Sequence, residues 1–177
     1  MEKILVVVDM QNDFIDESLG TEEARNIVEP VCEKIIEFGG QIFVTQDTHS
    51  DNYLETLEGR HLPVEHCIAN TEGWLINSFI RNALKSKNYA FIEKEIFGSM
   101  KLVDQIAKIL DKGVKGSIEI VGLCSDICVV SNALMLRSAF PNTEITVDAS
   151  CCAGVTPDKH KAAMEVMKSC QINVIGE

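Results

Sequence analysis

Two cysteines lie four residues apart, Cys124 and Cys128, directly after an apolar run that predicts a β-strand. Two thiols at this spacing fit four kinds of chemistry: a metal site, a disulfide, a redox pair, or one nucleophile beside a cysteine that does not react. A structural zinc site needs a second pair of ligands. The only adjacent pair, Cys151 and Cys152, is predicted to form a buried turn after the fifth strand instead. We therefore expect one reactive thiol and one bystander.

Cys128 is the better candidate for the nucleophile, because it lies in the first turn of a predicted helix. Free N–H groups and the positive end of the helix dipole favour a thiolate there. Lys94 ends another predicted strand, and its ammonium is expected to lower the pKa of the thiol. Asp9 ends the first strand, where it can hold Lys94 and shuttle a proton. An acid, an ammonium and a thiol form a nucleophilic set in which a carboxylate replaces the usual histidine, and backbone N–H groups of the Cys124 turn can hold an oxyanion.

A second group of polar residues points to a metal. Asp47 and His49 are two residues apart at the end of the second strand, so their side chains point the same way. His66 follows after a long polar loop that can return to the same place. One carboxylate and two imidazoles suit zinc, iron or manganese. Glu55 or Glu58 can complete the set of ligands.

The elements that must position these residues alternate along the chain. Six apolar runs predict strands, over residues 3–9, 41–47, 89–95, 116–123, 143–150 and 172–176. Five intervening segments predict helices, over residues 21–38, 74–87, 99–113, 126–139 and 157–169. This alternation predicts a three-layer α-β-α fold with a mostly parallel sheet of about six strands and helices on both faces. Since ligands bind beyond the carboxyl ends of such strands, the candidate residues are expected to meet at one edge.

Length and charge limit the remaining possibilities. The 177 residues suit a single domain, residues 1–177. The net charge of −11 argues against nucleic acid or an anionic membrane as a partner. We expect no signal peptide and no membrane span. Seven cysteines, an odd number, favour reduced thiols and a cytoplasmic location. The apolar segment 131–140 is expected to serve as core or as the interface of a homo-oligomer.

Three separated motifs resemble the isochorismatase-like cysteine hydrolases, and within them the nicotinamidase/pyrazinamidase branch. They are "VVVDMQNDF" (6–14), "IEKEIFGSM" (92–100) and "VGLCSDICVVSNA" (121–133). The resemblance implies that Asp9, Lys94 and Cys128 are the catalytic residues. It also implies a cis peptide bond between Leu123 and Cys124, which directs the Cys124 and Cys128 N–H groups at one oxygen.

The resemblance also concerns the metal. The family's Asp-x-His is matched by "DTH" (47–49), and "LPVEHC" (62–67) matches its second histidine motif with one additional residue before His66. The last ligand varies between His and Glu in the family, and the family's spacing favours Glu58 over Glu55.

The implied reaction is hydrolysis of nicotinamide, and of pyrazinamide-like analogues, to the acid and ammonia through a thioester on Cys128. The pyridine nitrogen of this small carboxamide substrate coordinates the metal, for which zinc is the first expectation, and Phe14 and Trp74 flank the ring. A water activated by the metal or by Asp9 hydrolyses the thioester. The alternative is another cysteine hydrolase of the same family, which acts on a ureido or small aliphatic amide without metal.

Overall fold

The fold is a parallel β-sheet between two layers of helices. The computed structural model describes residues 2–110 and 115–177. Its six strands are β1 (Glu2–Val8), β2 (Gln41–Asp47), β3 (Tyr89–Lys94), β4 (Gly116–Leu123), β5 (Glu144–Ala153) and β6 (Asn173–Ile175). They form one sheet in the order β3-β2-β1-β4-β5-β6, and every pair is parallel. The predicted three-layer α-β-α class is confirmed.

Helices cover both faces of this sheet. They are α1 (Asn12–Ile15), α2 (Glu22–Asn26), α3 (Val28–Glu37), α4 (Leu57–His61), α5 (Ser78–Leu84), α6 (Met100–Leu110), α7 (Val130–Ala139) and α8 (Pro157–Ser169). Alternate residues of β1 enter different cores, with Val6 in the layer of α6, α7 and α8, and Val7 in the layer of α2, α3 and α5. The continuous apolar run of β1 is therefore buried on both sides, as its sequence predicts.

The central strand gives the site its position. β1 leaves the sheet at Asp9, which has a positive φ of 48°. Its neighbour β2, and β3 beyond it, run in register to Asp47 and Lys94, which are paired residues. The turn that carries Cys128 follows β4 on the other side of β1. The strand-end residues therefore meet at the carboxyl edge of the sheet, as expected.

The predicted helix over 21–38 is wrong in one respect, because it is two helices that meet at Ile27. Pro30 explains the break. A proline has no N–H to donate to the carbonyl of Asn26, and its ring would clash with that carbonyl in a continuous helix. In the first turn of α3 the same proline is tolerated, since N–H groups there have no partner within the helix.

Other boundaries differ from the sequence predictions. β5 continues to Ala153, so Cys151 and Cys152 are buried strand residues and not a turn. The expected long loop 48–72 contains a 3₁₀ turn (Tyr53–Glu55) and α4. The helix predicted over 74–87 is shorter, because Ile76 pairs with Gln11 instead. The predicted end of the helix near residue 113 lies outside the described residues.

The segment 131–140 contributes to the core. Ala133 and Leu136 of α7 are fully buried in the layer that contains α6 and α8. Within the described parts of the chain, no helix combines the length and apolar character that crossing a bilayer requires.

Gly122, which lies shortly before the turn that carries Cys128, is required because β1 and β4 approach each other closely there. Gly122 has a φ of 116°, and a β-carbon there would lie 2.2 Å from the carbonyl oxygen of Val8. We expect Gly122→Ala to lower the free energy of unfolding by roughly 2–5 kcal/mol, from backbone strain and overpacking together. Gly39→Ala is the control, because nothing lies within 4 Å of its β-carbon position. Urea unfolding checks both, and equal midpoints for the two variants would contradict the prediction.

Candidate active site

The ammonium of Lys94 is at the centre of the site. Its Nζ lies 2.7 Å from Asp9 Oδ2 and 3.1 Å from Asp47 Oδ1. It also lies 3.5 Å from Cys128 Sγ. Burial alone would lower the pKa of Lys94, but the negative charges around it raise the pKa above its ordinary value. The side chain is therefore a fixed cation in contact with two carboxylates and the candidate nucleophile.

The carboxylate of Asp9 is fully buried beside this cation. Its Oδ1 accepts a hydrogen bond of 2.7 Å from Thr45 Oγ1. Its Oδ2 has no hydrogen-bond partner of good geometry among the described residues, although the ammonium of Lys94 is in contact with it. Burial raises the pKa of Asp9 above its ordinary value, and Lys94 opposes that effect. A carboxylate with a raised pKa and a free lone pair is suited to act as a general base.

Cys128 lies in a π-helical turn, Ser125–Val129, that precedes α7. Burial raises the pKa of its thiol well above the ordinary value, Asp9 raises it further, and Lys94 opposes both. The sequence-based expectation of a thiol with a lowered pKa is therefore wrong, because it took account of Lys94 and neglected burial. The raised pKa favours the protonated thiol over the thiolate, and Asp9 is the adjacent group that can act as a base.

The cis peptide bond that the resemblance implies before Cys124 is confirmed. Cys124 is the residue that caps the π-helical turn, and the peptide bond between Leu123 and Cys124 is cis. Burial raises the pKa of the Cys124 thiol to about 12. All seven cysteines are free, so no disulfide joins Cys124 to Cys128.

The predicted metal ligands form one group. One ligand atom from each of Asp47, His49, Glu58 and His66 lies within 4.8 Å of the others. His49 Nε2 is 3.1 Å from Asp47 Oδ2 and 3.9 Å from Glu58 Oε1. His66 Nε2 is 3.8 Å from each of the same two oxygens.

The orientation of these side chains fits a metal. His66 Nδ1 lies 2.9 Å from the carbonyl oxygen of Val64, and a hydrogen bond there leaves Nε2 with the lone pair that a metal needs. Tyr53 packs against the rings of His49 and His66, with centroids 4.8 and 4.9 Å away. Two imidazoles and two carboxylates suit a divalent ion of the zinc, iron or manganese type.

A short helix brings Glu58 into the group. Thr56 caps α4 by accepting a hydrogen bond from the N–H of Gly59. Gly59 packs against the main chain of Tyr53 so closely that a β-carbon there would lie 2.1 Å from the carbonyl oxygen. Glu58 therefore points at the two histidines, whereas Glu55 and His61 are exposed and outside the group.

Asp47 belongs to both halves of the site. Its Oδ1 contacts Lys94, and its Oδ2 contacts the histidines. Burial alone would raise the pKa of this carboxyl, but the hydrogen bond to His49 and the charge of Lys94 lower it below its ordinary value. The residue is therefore ionised, as a metal ligand must be.

A cavity of about 270 Å³ joins the two halves. Asp47, Glu58 and His66 line it on the metal side, and Cys124 and Cys128 line it on the nucleophile side. The remaining walls are mostly apolar, with Phe14 of α1 and Phe97 among them. A mostly apolar cleft with a few polar groups is typical of a site for a small molecule.

Trp74 does not line this cavity. Its indole Nε1 donates a hydrogen bond of 2.9 Å to Thr48 Oγ1, and its carbonyl oxygen accepts from Gln11 and Gln46. The cavity lining does not support the prediction that Trp74 flanks the substrate ring, because these hydrogen bonds hold the residue against Gln11, Gln46 and Thr48 instead. Phe97 is the second phenylalanine that lines the cavity. Its position three residues after Lys94, a predicted site residue, was the sequence signal that it lies near the site.

Sequence reasoning also missed Asn132, which links the nucleophile turn to the segment after β3. Asn132 Nδ2 donates to the carbonyl oxygens of Cys128 at 2.8 Å and Phe97 at 3.1 Å. Its Oδ1 accepts from the N–H of Ser99 at 3.0 Å. The available signal was an asparagine in an apolar helix, where a buried amide must find partners.

Comparisons with known proteins show the family of this chain and its fold. The family model described as "Isochorismatase domain" matches residues 3–176. The nicotinamidase of Saccharomyces cerevisiae is 23% identical, and the alignment covers 98% of this chain and 99% of the relative. A structure of the pyrazinamidase of Pyrococcus horikoshii in complex with zinc is 30% identical over the full length of both chains, with a TM-score of 0.82. The nicotinamidase/pyrazinamidase of Bacillus subtilis is 25% identical over 98% of this chain and 99% of its own, with a TM-score of 0.83.

The protonated state of the thiol gives a prediction for its reactivity. Because the pKa of Cys128 is raised, its alkylation by iodoacetamide in the free protein should be slow at neutral pH and still rise at pH 9. Mass spectrometry of the Cys128 peptide measures the rate, with Cys128→Ser as the blank. A rate that is already constant between pH 6 and 8 would show a thiolate paired with Lys94 and contradict the prediction.

Proposed function

This chain belongs to the isochorismatase family, and we propose that it is a metal-dependent cysteine amidohydrolase that converts nicotinamide to nicotinate and ammonia. The observation that carries the proposal is one cavity lined by Cys128, whose thiol contacts Lys94, and by Asp47, Glu58 and His66 of the metal group. The names of the similar proteins support a pyridine or pyrazine carboxamide as the substrate class. We also place the reaction in the cytoplasm, where the free cysteines stay reduced.

The metal site is proposed to consist of Asp47, His49, Glu58 and His66. Zinc is the favoured ion because the similar pyrazinamidase of Pyrococcus horikoshii was solved with zinc, and iron and manganese suit the same ligands. When bound, the ion supplies a Lewis acid that a ring nitrogen of the substrate can coordinate.

The first half of the reaction uses three side chains. Asp9 accepts the proton of the Cys128 thiol, and Lys94 stabilises the thiolate that forms 3.5 Å from its ammonium. Sγ of Cys128 attacks the carboxamide carbon, and the N–H groups of Cys124 and Cys128 stabilise the resulting oxyanion. Asp9 then gives its proton to the amide nitrogen and the carbon–nitrogen bond breaks. Ammonia departs, and the acyl group remains on Cys128 as a thioester.

The second half regenerates the enzyme. Asp9, again a carboxylate, removes a proton from a water molecule that attacks the thioester carbon. The carbon–sulfur bond breaks, the acid product forms, and Cys128 recovers a proton from Asp9. The raised pKa of Asp9 suits both directions of transfer, and Phe14 supplies an apolar wall for the ring.

The alternative, a family member that acts on a ureido or aliphatic amide, needs no metal. The two histidines and two carboxylates that converge on one point favour the nicotinamidase proposal over it.

Activity and metal content test the proposal together. We expect purified protein to release ammonia from nicotinamide, to lose that activity on chelation, and to regain it with zinc, manganese or iron. An enzyme-coupled ammonia assay and metal analysis of the same samples measure this. Full activity in protein shown to contain no metal would contradict the metal site. No release of ammonia from protein with metal bound would contradict the choice of substrate.

The two cysteines of the turn should respond differently to substitution. We expect Cys128→Ser to lower kcat by about 10³-fold or more, because the nucleophile is lost. Cys124→Ala should stay within about tenfold of the wild type, since only the main chain of Cys124 is used. Cys170→Ser at an exposed position is the control. Near-normal kcat in Cys128→Ser would overturn the assignment of the nucleophile.

A further inference from the structure

At Asp47, β2 still pairs with β3 on one side but has no strand beside it on the β1 side. The ladder between β1 and β2 stops at the pair Val7 and Val44. Beyond it, the chain of β1 turns away at Asp9, and only the N–H of Asp9 still reaches the carbonyl oxygen of Thr45. Asp47, three residues beyond Val44, therefore has no β1 main chain to pair with. Buried N–H and C=O groups without partners are costly, so another group must replace the strand.

The side chain of Gln11 takes that place. Its Oε1 accepts a hydrogen bond of 2.7 Å from the N–H of Asp47, and its Nε2 donates one of 2.8 Å to the carbonyl oxygen of Asp47. A second donation from Nε2, also 2.8 Å, goes to the carbonyl oxygen of Trp74. Gln11 is fully buried. A carboxamide has the same donor and acceptor as a peptide group, so it can substitute for a strand at this one position.

The residue held in this way is the one that both halves of the site share. Asp47 Oδ1 is 3.1 Å from Lys94 Nζ, and Oδ2 is 3.1 Å from His49 Nε2. A rotation of the Asp47 main chain would move both oxygens away from their partners together. Partners behind a metal ligand that fix its direction typically determine affinity for the ion.

We propose that Gln11 is a positioning residue for the metal site: its carboxamide replaces the missing strand and holds Asp47 so that its carboxylate faces the two histidines. The inference rests on the metal site of the proposed function and is independent of the substrate. If Gln11 positions Asp47, its replacement should weaken metal binding in addition to the stability that is lost with its buried hydrogen bonds.

Two substitutions at Gln11 and one matched control separate weaker metal binding from a general loss of stability. Gln11→Met fills a similar volume and removes the hydrogen bonds of the amide. Gln11→Glu keeps the shape but cannot donate to the carbonyl oxygens as a carboxylate. Gln46→Met is the control, because Gln46 is also buried and its Nε2 donates 2.9 Å to the same Trp74 carbonyl, without a side-chain bond to Asp47.

The measurement is the dissociation constant for zinc, by competition with a chromophoric chelator, on variants whose metal-free forms show cooperative thermal unfolding. We expect both Gln11 variants to bind zinc about 10–100-fold more weakly than the wild type. Gln46→Met should stay within about threefold of the wild type, although its metal-free form is also destabilised. If Gln11→Met does not fold, the isosteric Gln11→Glu carries the test.

Three results would overturn the inference. Zinc affinity within threefold of the wild type in a folded Gln11 variant would show that Gln11 does not position Asp47. An equal loss of affinity in Gln46→Met would assign the effect to general destabilisation. A wild-type protein that binds no zinc, manganese or iron would remove the metal site itself, and the proposed function would then fail with it.

Discussion

The structure of the site depends on one buried cation. The ammonium of Lys94 is almost completely enclosed at the carboxyl edge of the sheet, with Asp9, Asp47 and Cys128 around it. A buried charge is stable only when opposite charges and hydrogen bonds compensate its loss of water. The two carboxylates provide this compensation. Their positions at the ends of β1 and β2 follow from the parallel sheet, which brings three successive strand ends together.

Asp47 extends this electrostatic centre to a second site. A carboxylate that neutralised Lys94 alone would have a free oxygen, and here that oxygen faces two histidines and Glu58. The loop after β2 is folded to bring them there, with a capped helix for Glu58 and a tethered ring for His66. The cation that contacts the thiol and the group that can hold a metal therefore share Asp47. Displacement of Asp47 should impair both.

The parts of this arrangement differ in how far the sequence predicts them. Asp9, Asp47 and Lys94 could be predicted as site residues from the sequence, because apolar runs indicate strands and a charged residue lies at the end of each of these runs. Only the resemblance favoured Glu58 over Glu55 as the last metal ligand. The short helix that directs Glu58 towards the histidines depends on the contact of Gly59 with Tyr53, which the sequence does not show. The raised pKa of Cys128 was missed because burial depends on tertiary packing that no local pattern shows. Gln11 and Asn132 act through side-chain hydrogen bonds to the distant main-chain groups of Asp47 and Phe97, and sequence spacing gives no sign of such partners. By contrast, Pro30 was a readable signal for the break between α2 and α3.

The proposed reaction requires that Cys128 forms a covalent intermediate with a carboxamide substrate. Protein mixed with nicotinamide and quenched in acid during turnover, then digested and analysed by mass spectrometry, tests it directly. We expect a nicotinoyl group in thioester linkage on the Cys128 peptide, which disappears when the substrate is exhausted. A nicotinoyl group on another residue would contradict it, as would an unmodified Cys128 in every quenched sample while nicotinate accumulates.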